Sequence, residues 1–311
     1  MTEVASRPQP DAAPRFLGGF SPEAVFVLSG ISQNIGTILA KSLFNDIRPA
    51  TVAWIRVAFA AVVLAAISWK QWSPWSAAAA DPARRWTRAD LGASAVFGIS
   101  IALMNLFFYL AIDRLELGKG MAIEFIGPIA VAASRTRTRR NALAVLLAVT
   151  GVALLSGFEF GGNKLGLLFI FLASAMWATY IVLGSHVARQ DRGLAGLGVG
   201  LLFGAVVLTP FGLASSGHTF SSPHLVLSCC AVGLFTTVIG QGLDQGIMRR
   251  ISPGRFALLL ALLPVNATFI AYIALDERPS ALDLVGIAFV LAGVITQQRD
   301  APPALVDEPL S

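Results

Sequence analysis

The stretch MAIEFIGPIA, Met121–Ala130, reads as membrane-dissolved helix except for the carboxylate of Glu124 in its middle and a Gly-Pro pair, Gly127 and Pro128, just after it. An ionisable side chain inside an apolar span costs a few kcal/mol or more unless it faces a cavity or a partner. Glu124 is therefore a candidate for function, and Gly127-Pro128 a candidate helix break or gate.

The rest of the chain places that stretch in a membrane. Of its 311 residues 55% are hydrophobic and only 13% charged, whereas charged residues approach about a quarter of a soluble domain. The formal charge of +5 does not point to nucleic acid, because Lys and Arg stand singly or in short runs between apolar segments and form no continuous basic face. Cys229 and Cys230 are adjacent, where a mutual disulfide would be strained. His186, His218 and His224 have no metal-ligand spacing with a Cys or carboxylate, so neither a metal nor a cofactor is expected. The N-terminal residues 1–22 are polar and Pro-rich and lack the order of a cleaved signal; residues 299–311 carry three prolines and no helical period. Both read as disordered tails.

A bilayer core takes about 20 mostly apolar residues per helix. Ten segments come near it: 23–44, 49–69, 89–112, 119–134, 141–157, 164–185, 194–214, 224–247, 254–275 and 281–298, of which the fourth, fifth and tenth are short. With the N-terminus in the cytoplasm, sixteen Lys and Arg fall on the cytoplasmic side and five (Arg48, Arg114, Lys119, Lys164 and Arg278) on the other, while Lys41 and Arg56 lie inside spans. Alternate loops thus obey the positive-inside bias, with both termini cytoplasmic.

GKGMAIEFIGP (118–128) aligns without gaps on GRFALLLALLP (254–264), matching Gly118 to Gly254, Lys119 to Arg255 and Pro128 to Pro264. The loops that follow differ in sign: RTRTRR is strongly basic and LDERPS leans acidic, as expected of copies in opposite orientations. The reading is an all-α integral membrane protein whose ten transmembrane helices form two inverted five-helix repeats, 23–157 and 158–298. That plan recurs in secondary transporters, with the substrate site near the midplane between the repeats and Pro264 as a second gating position.

Glu124, Arg56 and Lys41 lie at one depth, roughly 5 to 10 Å below the outer boundary at about 1.5 Å rise per residue. Two cations and a carboxylate at one level suit a zwitterion: Arg56 offers its fork of donors to a carboxylate and Glu124 accepts from an ammonium. Glu124 is also the candidate for exchanging a proton against substrate. Blander readings stand beside these. Lys41 is near enough to the interface to snorkel, Arg56 and Glu124 can form a structural buried pair, and Asp244, five residues before Arg249, can be interfacial. Further polar residues inside the spans are Gln33, Asn34, Asn105, Tyr109, Trp177, Tyr180, Gln241 and Asn266. Gln33, Asn34 and Gln241, deep and near glycines, are the preferred site candidates, and the remainder are more simply helix-to-helix contacts. Gly196, Gly200 and Gly204, and Gly242 with Gly246, read as ridges for close helix packing. GLGVGLLFG lacks the strand a dinucleotide fingerprint needs, and no nucleophile–base arrangement emerges on one membrane face, so an enzyme is not expected.

ILAKSLF (38–44), the Arg of WIRVAFA (54–60), MNLFFYLAI (104–112), AIEFIGPIAVA (122–132) and MWATYI (176–181) together resemble the threonine and homoserine exporter family, EamA-type members of the drug/metabolite transporter superfamily. The likeness spans about 22–298 and is strongest in the first half. It implies a ten-helix inner-membrane carrier that exports small amino acids by proton antiport with alternating access. By resemblance Lys41, Arg56, Asn105, Tyr109, Glu124, Pro128, Trp177 and Tyr180 match the family pattern. The chain departs from it in the second half, with Leu263 where the family commonly has a Glu before the proline, and Gly240 and Gln241 where it has a proline and an aromatic; Asp244 keeps a carboxylate nearby. The expected partners are an amino acid or related metabolite, protons and lipid. The competing readings are a drug or metabolite carrier of the same fold, and a membrane-embedded scaffold or sensor whose charges only hold the bundle together.

Overall fold

A computed structural model describes residues 20–72, 86–115, 120, 123–156, 163–189, 193–214, 216–263, 265–266 and 280–296. Among them the chain is helical, with no strand. In chain order the main helices are α1 (Pro22–Ser42), α2 (Pro49–Ile67), α3 (Arg88–Ile112), α4 (Ile126–Ser134), α5 (Arg139–Ser156), α6 (Lys164–Arg189), α7 (Gly193–Ala214), α8 (Pro223–Met248), α9 (Pro253–Leu259) and α10 (Ala281–Thr296).

Local chemistry sets several of these ends. Ser21 caps α1 by accepting from the Ala24 N–H at 3.2 Å, with Pro22 in the first turn. Thr87 and Asp90 form a reciprocal capping box at the start of α3, satisfying two donors that the first turn leaves orphaned. Pro49, Pro223 and Pro253 each sit at a helix start, where the missing N–H costs nothing.

Six helices are long and apolar enough to cross a membrane: α1 with its 3₁₀ extension Leu43–Asn45, α2, α3, α6, α7 and α8. The other four expected spans are helical but fall short among the described residues. Arg139, Arg140 and Asn141 dilute the start of α5, and α10 has only 16 residues. The fourth and ninth are interrupted: the chain turns at Phe125 just before α4, and at Leu260 and Ala261 just after α9. Residues 267–279, Pro264 and the Gly118-Lys119 pair lie outside the described residues, as do residues 1–19 and 299–311.

Along α1 apolar side chains face outward while several polar ones turn into the bundle. Val27, Leu28, Ile35 and Ile38 of α1 are exposed while Ser29, Ser32 and Asn34 of the same helix are buried. Helix association here rests on small residues. A Cβ on Gly98 of α3 would lie 1.9 Å from the Gly200 carbonyl carbon of α7, and one on Gly204 would lie 2.7 Å from the Gly98 carbonyl oxygen, so two backbones touch where the ridge was expected. Gly242 differs: its Cβ would meet only the Leu194 side chain at an ordinary 3.5 Å, so close packing does not require a glycine there. α3 also packs on α6, α2 on α7, α5 on α10, α4 on α9, and α1 on α8.

One segment of α8 is wound more loosely. Leu234–Gln241 is π-helical, a rare form that is frequent at functional sites. It faces α1 along its length: Ser32 Oγ donates to the Phe235 carbonyl at 2.6 Å, and Ser29 Oγ lies 3.0 Å from the Gly240 carbonyl. Gly36 and Gly240 let the two helices approach, since a Cβ on either would fall 2.4 Å from Thr236 or Gln33.

Candidate functional site

A cavity of about 100 Å³ lies among α1, α2, α3, α6, α8 and the interrupted helices. By a measure in which one water needs about 10–15 Å³, that is room for several waters or a small polar solute. The sequence reading nominated Gln33, Asn34, Arg56, Asn105, Tyr109, Glu124, Trp177, Tyr180, Gln241 and Asp244, and all ten line it.

Arg56 enters from the middle of α2 and is 4% exposed. Its Nη1 donates to the Tyr109 hydroxyl, its Nη2 donates to Thr237 Oγ1 at 3.2 Å, and the guanidinium carbon stands 5.3 Å from the Tyr109 ring centroid. Nε is buried without a hydrogen-bond partner. Among the described residues no carboxylate lies within ion-pair distance of it. A buried cation held only by neutral groups carries a desolvation cost of several kcal/mol, and no anion among the described residues offsets it.

Glu124 sits in the short helical piece just before the turn at Phe125 and is 7% exposed. Among the described residues its carboxylate makes neither an ion pair nor a hydrogen bond, so the structural pair with Arg56 is not formed. Phe125 packs edge-on to Trp177 at 5.1 Å beside it. Gly127 is not itself the break. It lies one residue inside α4, where a Cβ would fall 2.1 Å from the Ser174 carbonyl of α6, and Pro128 follows in the first turn, where proline is tolerated.

Asp244 is 2% exposed, which corrects the interfacial reading. Ser29 Oγ donates to its Oδ1 at 2.7 Å, and Gln33 Nε2 and the Tyr180 hydroxyl donate to its Oδ2 at 3.2 Å each. Three neutral donors from α1 and α6 thus converge on one carboxylate of α8. The Tyr180 ring stacks on Phe97, centroids 5.7 Å apart.

The amides differ in how far they are committed. Asn105 donates back to the Ile101 carbonyl of its own helix at 2.8 Å, and Asn34 to the Leu263 carbonyl at 3.4 Å. Gln241 makes no hydrogen bond among the described residues, and its Oε1 is buried.

Lys41 is the nominee the structure sets aside. It is exposed near the end of α1 and does not reach the cavity, in keeping with a flexible stem that carries its ammonium to the boundary. Sequence reasoning in turn missed Ser29 and Thr237. Each lies four residues before a nominated glutamine, Gln33 and Gln241, on the same helix face, and that spacing was the available signal.

Residues 164–296 match the EamA-like transporter family. Over 278 residues the chain is 28% identical to the threonine/homoserine exporter RhtA of Salmonella typhimurium strain SL1344 and 27% identical to that of Escherichia coli K12, covering 87% of this chain and 89% of each relative. It is 27% identical over 168 residues, half of this chain, to the uncharacterized transporter YcbK of Bacillus subtilis. A solved crystal structure superimposes with a TM-score of 0.66 at 16% identity, covering 89% of this chain and 96% of the other, and so shares the fold.

Proposed function

We propose that this chain, which matches the EamA-like transporter family over residues 164–296 and resembles the RhtA exporters over most of its length, exports small α-amino acids of the threonine and homoserine kind in exchange for protons. The observation that carries this reading is the state of the two charges on the cavity. Among the described residues Arg56 pairs with no carboxylate and Glu124 with no cation, and both line the cavity, so each is left to a ligand that brings both. The α-carboxylate goes to the guanidinium fork, whose buried Nε has no hydrogen-bond partner among the described residues, and the ammonium to Glu124. When the ammonium leaves, a proton on Glu124 is the simplest replacement for its charge, which makes the two exchange at one site. The curated relatives named for threonine and homoserine export support the substrate class.

Alternating access on this reading follows from ten spans in two inverted copies, 23–157 and 158–298, in the bacterial inner membrane with both termini cytoplasmic. Adding five to each helix number should leave the packing pattern unchanged. It turns α1 on α8 into α6 on α3, and α2 on α8 into α7 on α3, and it maps α2 on α7, α4 on α9 and α5 on α10 onto themselves; all these pairs occur. The interruptions fall at equivalent places too, since Phe125 aligns with Ala261.

The test is movement of labelled amino acids from proteoliposomes with and without an imposed pH gradient. Gradient-driven threonine or homoserine movement is expected in the wild type and in Lys41→Gln, whereas Glu124→Gln loses the response to the gradient. Full proton-coupled transport by Glu124→Gln would refute the proposal.

A further inference from the structure

We infer that Gln241 is the residue that reads the substrate's side chain, and that the carried amino acids are those whose side chain ends in a hydrogen-bonding hydroxyl or carboxamide. The inference rests on the amino-acid reading above and adds to it a specificity determinant in the half of the cavity where the chain departs from the family pattern.

Thr237 and Gln241 both belong to the π-helical segment of α8, and Asp244 follows three residues later on the same helix. The outer two are committed. Thr237 accepts from Arg56, and Asp244 accepts from Ser29, Gln33 and Tyr180. Gln241 stands between them, 4% exposed, on the cavity wall and without a hydrogen bond among the described residues. Buried polar groups in native proteins are nearly always paired, so this amide points to a ligand group. It lies one helical turn from the threonine that positions Arg56. A substrate whose carboxylate rests on Arg56 therefore extends its side chain towards Gln241.

The chemistry of that partner follows from what surrounds the amide. A carboxamide both donates and accepts, and a hydroxyl satisfies either end of it. An aliphatic side chain would leave it buried and unpaired. A second ammonium would seek a carboxylate instead, and Asp244, three residues along α8, already accepts from three protein donors.

The experiment compares substrates of nearly equal shape in proteoliposomes of the full-length protein: threonine against valine for the hydroxyl, asparagine against leucine for the carboxamide. The ratio of kcat/KM within each pair is independent of how much protein is active. The wild type is expected to favour the polar member of at least one pair by about tenfold or more, and the pair that shows it identifies which group is read. In Gln241→Leu the ratio falls to within about twofold of unity, and Gln241→Met, unbranched and of similar length, serves where the leucine variant does not fold. A variant that transports with the wild-type ratio overturns the inference and leaves the amino-acid reading intact, as does a wild type that moves both members equally or prefers lysine. A wild type that moves no amino acid overturns both.

Discussion

Replacing Arg56 by methionine separates a ligand-binding charge from a structural one. In the wild type two guanidinium hydrogen bonds are made, to Tyr109 and Thr237, each worth about 1.5–3 kcal/mol because the donor is charged. Their loss is offset by no longer burying a cation, a penalty of several kcal/mol that no carboxylate among the described residues compensates. Thr237 Oγ1 also keeps Thr236 Oγ1 at 3.3 Å as a neighbour. The two contributions nearly cancel, so Arg56→Met should unfold in mixed micelles within about 2 kcal/mol of the wild type, in either direction. Breaking a true buried ion pair would instead cost about 3–5 kcal/mol. Transport behaves oppositely. If the fork makes two charge-assisted bonds to the substrate carboxylate, losing them removes about 3–6 kcal/mol, and kcat/KM for threonine falls by about 10²–10⁴. A folded Arg56→Met that transports at the wild-type rate, or one destabilised by about 4 kcal/mol or more, would refute the reasoning.

Two further outcomes concern the bundle around the site. Gly98→Ala should destabilise the protein by about 1–3 kcal/mol or more in thermal unfolding, because the new methyl would lie 1.9–2.5 Å from the Gly200 backbone; Gly92→Ala on the same helix, with nothing within 4 Å, should be neutral or stabilising by up to about 1 kcal/mol. Asp244→Asn should cost about 2–4 kcal/mol, since the new amide NH₂ cannot accept from the donors that converge there, and an unfolding midpoint unchanged from the wild type would show that Asp244 does not tie α1 and α6 to α8.

Which residues face the cavity was legible to the extent that polarity itself is the signal. Arg56, Glu124 and Asp244 announce themselves because charge is costly in an apolar span, and the helix ends read from the apolar segments agree closely with those of α2, α3 and α7. Partnership was not legible. Whether Arg56 meets Glu124 depends on how α2 and α4 are rotated and spaced, which equal depth along two helices does not determine. Asp244 shows the same limit. Its distance in sequence from Arg249 suggests an interface, but burial is decided by the Tyr180 and Ser29 that close over it from other helices. The π-helical winding of Leu234–Gln241 changes which side chains face α1, and no hydropathy pattern of period 3.6 contains it.

On the inverted-repeat reading, the differences between the copies carry the specificity. Glu124 aligns with Leu260, and both line the cavity at the interruptions of their helices, so one copy supplies a carboxylate where the other supplies an alkyl group. The equivalent pairs α1–α8 and α3–α6 diverge as well. The first is joined by directional hydrogen bonds through Ser29, Ser32 and Gln33, the second by the aromatic stacks Phe97–Tyr180 and Phe107–Phe169. Stacked rings hold their contact area over a range of offsets, whereas hydrogen bonds weaken steeply away from their geometry. The hydrogen-bonded wall is thus the one able to sense where a polar substrate sits, and the aromatic wall the one able to slide while the substrate is held.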